Sequence, residues 1–274
     1  MSLNLESELD IAIAAARRAG GLLQMHFERG VQAHTKSTPF DLVTEADRAS
    51  EAVIVAALTK AFPDHGILAE EGGGKHAESE YVWLVDPLDG TTNFAHGYPQ
   101  FSVSIALLHA GSMVVGVVYD VMRDELFTAT RGAGARLNGR LIRVSSTPTL
   151  ILSLLATGFP YDRQTNPQNN LNQFGDSLLH AQGVLRVGSA ALDLAAVAAG
   201  RLDGYWELKL KPWDLAAGAM LVTEAGGRVT DPQGTAPDLW TGSVVASNGH
   251  IHDEMLARLR QADPDCPMQS FVLH

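Results

Sequence analysis

Residues Tyr81–Phe94 read YVWLVDPLDGTTNF. The β-branched and aromatic run at its start predicts a strand, with Asp86 at the carboxyl end. Pro87 has no N–H to offer a neighbouring strand, so the strand is expected to end there. The chain then turns, and Asp89 points back toward Asp86. Gly90 and Thr91 open a short helix whose first amides have no partner inside it; such amides, with the helix dipole, hold anions such as phosphate. One segment thus offers two carboxylates for a hard cation and an amide cradle for phosphate. Asp and Gly also cap ordinary turns, so the segment alone fits both a turn and a site.

Outward from this strand, hydrophobic period marks the other elements. Leu9, Ile13, Ala16, Gly20, Leu23 and Phe27 predict a helix over about 6–28. His34–Val43, with Pro39, reads as a loop or hairpin. A second helix is expected from about Ala46 to Phe62, with Ala49, Val53, Ala57 and Leu58 inward and Pro63 as its stop. FSVSIALLHAG and MVVGVVYDV form a hairpin, and ELFTATRGAGARLNGRLIRVS a strand pair turning at Asn138–Gly139. After Ser145, short apolar strands alternate with Ala-rich helices at about 171–181, 189–199, 213–225 and 249–261, an α/β texture. The expected organisation is an α+β half over 1–145 with the main metal-binding motifs, an α/β half over 146–262 that completes the site, and a tail over 263–274.

The 274 residues include 31 acidic and 20 basic side chains, a formal net charge of -11. That argues against a nucleic-acid-binding surface and leaves carboxylates to hold cations. The one cysteine, Cys266, can form no intrachain disulfide and suits a reducing compartment. The acidic N-terminus is unlike a signal peptide, and no apolar run approaches the ~18 residues of a membrane span. The expectation is a soluble cytoplasmic protein with no nucleic-acid or membrane partner.

Further carboxylates fall at element ends, where active sites of α/β proteins form. Glu70 and Glu71 precede Gly72, Gly73 and Gly74, as in a metal-carrying loop or a solvated acidic turn. Asp214 follows Trp213 at the start of an apolar helix, where it is equally a cap. Asp41, Thr44 and Asp47 stand before a helix, and Thr44 with Asp47 fits a capping box.

Two motifs, WLVDPLDGTTNF (Trp83–Phe94) and WDLAAGAMLVTEAGG (Trp213–Gly227), resemble the inositol monophosphatase family of Mg²⁺-dependent, lithium-sensitive phosphatases. KSTPFDLVTEAD (Lys36–Asp47), ILAEEGG (Ile67–Gly73) and GSAALDLAAVAAGRLDGYWE (Gly188–Glu207) support the resemblance in family order, over about residues 7–260.

The resemblance implies a layered αβαβα sandwich, a homodimer and two to three Mg²⁺ ions. One ion would bind Glu70, Asp86 and the Leu88 carbonyl; a second Asp86, Asp89 and Asp214; a third, weaker one would lie near Glu70 through waters. It implies that Gly90 and Thr91 hold phosphate, and that Glu70 and Thr91 position and deprotonate water, with Asp47 bonded to the Thr91 hydroxyl. Gly188, Ser189, Ala190 and Glu207, beside Asp89 and Asp214, would face a small phosphorylated polyol, inositol monophosphate first. Lys36 would lie on a loop over the site. Thr92 favours the inositol branch over histidinol phosphate, fructose 1,6-bisphosphate and 3′-phosphoadenosine 5′-phosphate. A non-catalytic regulatory factor on the same fold is the alternative of a different class. Ala69, where many relatives have Gly, and Lys211, where animal relatives have His, depart from the pattern. No motif places a Cys, Ser or His nucleophile, so direct attack by water is the expected route.

Overall fold

The computed structural model describes residues 5–30, 42–72, 74–75 and 78–263, and the backbone of 33–35. The expectations for Lys36, Pro39, Asp41, Gly73 and Cys266 lie outside these residues.

Up to residue 141 the elements are α1 (Glu6–Arg29), β1 (Ala33–Thr35), β2 (Leu42–Thr44), α2 (Glu45–Ala61), β3 (Gly66–Ala69), β4 (Tyr81–Asp89), α3 (Thr91–Ala95), β5 (Ser102–His109), β6 (Ser112–Asp120), β7 (Glu125–Thr130), β8 (Gly134–Leu137) and β9 (Arg140–Leu141). Beyond a short turn of 3₁₀ helix follow β10 (Leu154–Thr157), α4 (Leu171–His180), β11 (Gly183–Leu185), α5 (Ala190–Ala198), β12 (Gly204–Glu207), α6 (Pro212–Glu224), β13 (Arg228–Thr230), β14 (Val244–Ser247) and α7 (His252–Gln261).

β3 to β9 form a seven-stranded sheet in chain order, parallel only between β3 and β4. A five-stranded sheet has the order β11-β10-β12-β14-β13. α1 and α2 cover the outer face of the larger sheet, α5 and α6 fill the space between the sheets, and α4 and α7 cover the smaller sheet. These are the five layers of an αβαβα sandwich.

The layering explains why the central strands read as unbroken apolar runs. β5 and β6 have helices on both faces, so Val103, Ile105, Leu107, Val115 and Val117 are as buried as their neighbours on the opposite side. Each such side chain contributes roughly 1.5–3 kcal/mol on burial. α1 lies directly on β6: a Cβ at Gly20 would stand 2.4 Å from the Tyr119 ring, so only glycine permits this approach.

Two expectations are corrected. The segment after β6 holds three strands, not two: Arg131–Ala133 joins β7 to β8, and Asn138–Gly139, both at positive φ, joins β8 to β9. The buried stripe of α2 is Ala46, Asp47, Ser50, Glu51, Ile54 and Leu58, with Ala49, Val53 and Ala57 at its margin. The helix is turned because three polar side chains are drawn inward to hydrogen-bond the loops of the site.

Candidate active site

β4 does not end at Pro87. Its ladder with β5 pairs Asp86 with Ser104 and Asp89 with Ser102, and skips the two residues between. Pro87 and Leu88 therefore oppose one residue of β5, a β-bulge that absorbs the missing proline N–H. The bulge also sets which way the aspartates face. Side chains alternate along a strand, so residues three apart normally point to opposite sides of the sheet. One extra residue restores the phase, and Asp86 and Asp89 emerge on the same side, toward the middle helices. Their β5 partners share that side: the Ser104 hydroxyl donates to the Trp213 carbonyl (3.1 Å), and the Ser102 hydroxyl to Asp89 (3.4 Å). On the other side, Ser50 of α2 donates to the Pro87 carbonyl (2.8 Å) and Glu51 accepts the Glu71 amide (2.6 Å). Sequence reading misses both; their signal is polar residues at helical spacing on one face of α2.

Asp89 meets the start of α5. Its Oδ1 accepts the Ala190 amide (3.3 Å); its Oδ2 accepts the Ala191 amide (2.9 Å) and the Ser189 hydroxyl. These bonds favour the anion, yet burial outweighs them and the carboxyl rises to about 6. The Asp86 carboxylate, 2% exposed, accepts the Leu88 amide (3.0 Å). Burial, then the charges of Glu70, Asp89 and Asp214, pushes it well above the usual carboxylate range. Asp214 stands in the first turn of α6, where one oxygen accepts the Lys211 amide (2.8 Å). It is both a cap and a member of the cluster: burial, then Glu70, pushes it well up. Glu70 follows β3 directly, with its amide bonded to the Val85 carbonyl (3.2 Å), level with the end of β4.

Gly90 (φ 95°) makes the turn into α3; a Cβ there would meet the Gln100 carbonyl at 2.9 Å. The amides of Gly90 and Thr91 donate to no backbone carbonyl among the described residues. Asn93 ties this turn to the loop before α5, donating to the Gln100 and Val187 carbonyls, both at 2.8 Å. The Thr91 hydroxyl lies 3.2 Å from Asp47 Oδ1 and 3.0 Å from the Leu88 carbonyl, so its single hydrogen serves one at a time. Asp47 is fully buried behind Thr91 and closes the expected capping box with Thr44. Burial raises it to about 6 against the Thr44 hydrogen bonds.

Glu70, Asp86, Leu88, Asp89, Gly90, Thr91, Gly188, Ala190, Glu207 and Asp214 line one cavity of about 500 Å³. Asp47 and Ser189 stand behind it, on Thr91 and Asp89. On the far wall, Glu207 takes the Tyr205 hydroxyl, and burial raises its carboxyl to about 7. It forms no pair with Lys209, which instead bonds Asp162 (2.7 Å). Lys211 is exposed at the rim. Asp193 and Arg186 also line this cavity and were not singled out; within its motif Asp193 reads as an ordinary helix-start acid.

Four carboxylates and a carbonyl make an all-oxygen donor set for a hard divalent cation. Their burial and mutual repulsion are what such a cation would offset. Among the described residues no three acidic, His or Cys side chains are drawn together as a closed metal site; the carboxylates are spread along the wall and partly turned to their own backbone amides. The residues fit the ion in the chemistry of their donors.

The five-layer sandwich sets aspartates phased by a bulge beside open amides, a place suited to an anion and a hard cation together. The chain belongs to the inositol monophosphatase family, whose profile matches residues 4–264. It is 48% identical to an inositol-1-monophosphatase of Synechocystis, over 92% of this chain and 88% of that one. It is also 48% identical to a protein of Pseudomonas aeruginosa named Nus factor SuhB, over 93% and 97%. The structure of inositol monophosphatase from Anabaena superposes with a TM-score of 0.87 at 49% identity, covering 94% of this chain and 97% of that one.

Proposed function

We propose that the chain is a Mg²⁺-dependent phosphomonoesterase that hydrolyses a phosphorylated polyol, inositol monophosphate first, by direct attack of water. The observation that carries this is the single cavity in which the carboxylate wall, the open amides of Gly90 and Thr91, and Glu207 face one another. The amides receive the phosphate oxygens, with the start of α3 adding its dipole. Thr91, donating to Asp47 or to the Leu88 carbonyl, keeps a lone pair free to accept a hydrogen from the attacking water, and Glu70 takes the proton that water releases. Glu207, fixed by Tyr205, accepts hydroxyls of the leaving polyol. Mg²⁺ held by Glu70, Asp86 and the Leu88 carbonyl, and by Asp86, Asp89 and Asp214, would neutralise phosphate charge, acidify water and stabilise the leaving alkoxide. The third, weaker Mg²⁺ belongs to the same reading, near Glu70.

The test is phosphate release from inositol 1-phosphate, histidinol phosphate, fructose 1,6-bisphosphate and 3′-phosphoadenosine 5′-phosphate, with Mg²⁺, EDTA or Li⁺ added. Inositol 1-phosphate is expected to be hydrolysed fastest, Li⁺ to inhibit and EDTA to abolish turnover. Undiminished release after thorough EDTA treatment sinks the reading.

The relative named Nus factor SuhB supports a second, regulatory role beside the catalytic one. A folded, inactive Asp86→Asn chain that still replaces the parent gene in cells would establish it; failure to do so would leave catalysis as the role.

The homodimer belongs to the same proposal. α4 is inside out: Gln173, Asp176 and Ser177 are buried, while Leu178 and Leu179 are 49% and 67% exposed. Leu185 on the edge strand β11, and Ile151 and Leu152 in the turn before β10, are further exposed apolar side chains of this half. A second copy is the occupant this face fits.

A further inference from the structure

Asp193 is the fourth residue of α5 and is 3% exposed. Its amide is satisfied by the Ser189 carbonyl (3.0 Å), but among the described residues its carboxylate accepts no hydrogen bond. An acid in the first turn of a helix usually caps it or complements its dipole. Here those duties are already filled: Asp89 takes the Ala190 and Ala191 amides, and the Ser189 hydroxyl takes the Leu192 amide (3.4 Å). A buried carboxyl that bonds nothing is unfavourable, and native structures keep such groups where a ligand or ion supplies the partner. Asp193 lines the active-site cavity, so the partner enters from there.

The neighbours narrow its chemistry. Glu207 and Asp89 face Asp193 with like charge, and Arg186, at the cavity rim, opposes them. Glu207 comes from the smaller sheet, and its Oε2 is taken by the fully buried Tyr205 hydroxyl, which leaves Oε1 for the cavity. Two acceptor-rich carboxyls on one wall suit a ligand carrying adjacent hydroxyl donors.

We propose that Asp193 is a specificity-determining residue: it accepts a hydroxyl of the phosphorylated polyol next to the one taken by Glu207, so that the pair selects substrates with two adjacent hydroxyls near the phosphate ester. Tyr205 acts through Glu207 as a positioning residue. The inference rests on the polyol-phosphatase reading and adds to it the residue that reads the second hydroxyl.

The experiment compares two esters of the same ring size, myo-inositol 1-phosphate and cyclohexyl phosphate, which has no ring hydroxyl. The readout is the ratio of their kcat/KM values, in which the fraction of folded enzyme cancels. Asp193→Asn is expected to lower this ratio roughly 10-fold and Asp193→Ala further, toward ~100-fold, the scale of one charged hydrogen bond. Tyr205→Phe should lower it in the parent but not beside Glu207→Gln, because the tyrosine acts only through that carboxylate. An unchanged ratio in both Asp193 variants, with Glu207→Gln lowering it, overturns the inference and leaves the polyol reading standing. A ratio unmoved by Asp193 and Glu207 variants alike overturns both.

Discussion

Burial and three neighbouring carboxylates all disfavour the charge of Asp86, as they do that of Asp214. Under the proposed function, Asp86 joins the two donor sets, and the cations they would hold offset that repulsion. Asp86→Asn is expected to lower phosphate release by ~10³-fold or more, since the shared donor is lost for both ions. Near-parental turnover would refute its place in the cluster. Thr91→Ala is expected to lower kcat and kcat/KM together by ~10²-fold with little change in KM, because the amide that binds phosphate survives and only the hydroxyl is lost. A raised KM at constant kcat would make Thr91 a binding group instead. Glu70, Asp86, Asp89 and Asp214 were legible in the sequence because each sits at an element end, whereas Glu207 came only with the family resemblance. Asp193 was not, since an acid in a first helical turn has an adequate local explanation until the amides it would serve are seen to be bonded elsewhere.

At the scale of elements, helices and strands follow from apolar period, and the errors fall where polar groups do structural duty. The inward face of α2 is displaced from its apolar stripe because Asp47, Ser50 and Glu51 each support a loop of the site. Ser50→Ala leaves the Pro87 carbonyl without its buried donor, which should lower unfolding stability by about 1–2 kcal/mol. It should also loosen the bulge and so raise the Mg²⁺ concentration needed for half-maximal activity. Urea unfolding and a Mg²⁺ titration measure the two effects, and an unshifted titration would detach Ser50 from the site. The bulge itself escaped because a proline signals the end of a strand as well as its interruption; only the ladder on the far side tells them apart.

The whole molecule carries two further expectations. Under the proposed dimer, the parent is expected to sediment as a dimer and Leu179→Glu, which places a charge on the exposed face of α4, as a folded monomer. A parent that is itself monomeric would refute the proposed interface. His252 is fully buried at the start of α7, its ring nitrogens 2.8 Å from the Ser247 hydroxyl and 2.9 Å from that of Thr230. Thr230 donates to the Asp231 carbonyl, so it accepts from Nε2–H; the Ser247 hydroxyl accepts the Gly249 amide and has its own hydrogen to give to Nδ1 of a neutral ring. Burial, then Arg228, lowers its pKa to about 4. An unfolded histidine titrates near 6.5, so the unfolded chain binds the extra proton between these values. The histidine's stabilisation is therefore complete above about pH 6.5 and lost progressively as pH falls to about 4, on the order of 3 kcal/mol in all. The difference in unfolding free energy between parent and His252→Gln, followed over that range, should shrink with acid; a constant difference would refute it.

The bulge at Pro87–Leu88 makes the shared facing of two aspartates a matter of odd and even. Losing one of those two residues would turn the bulge into regular strand and keep Asp86 and Asp89 on one side; pairing all four residues from Asp86 to Asp89 without a bulge would instead carry Asp89 to the opposite surface of the sheet. A three-residue spacing of aspartates can thus serve one surface only while the bulge persists, and a change that relaxed it into even pairing would divide the two across the sheet with the outer layers left in place.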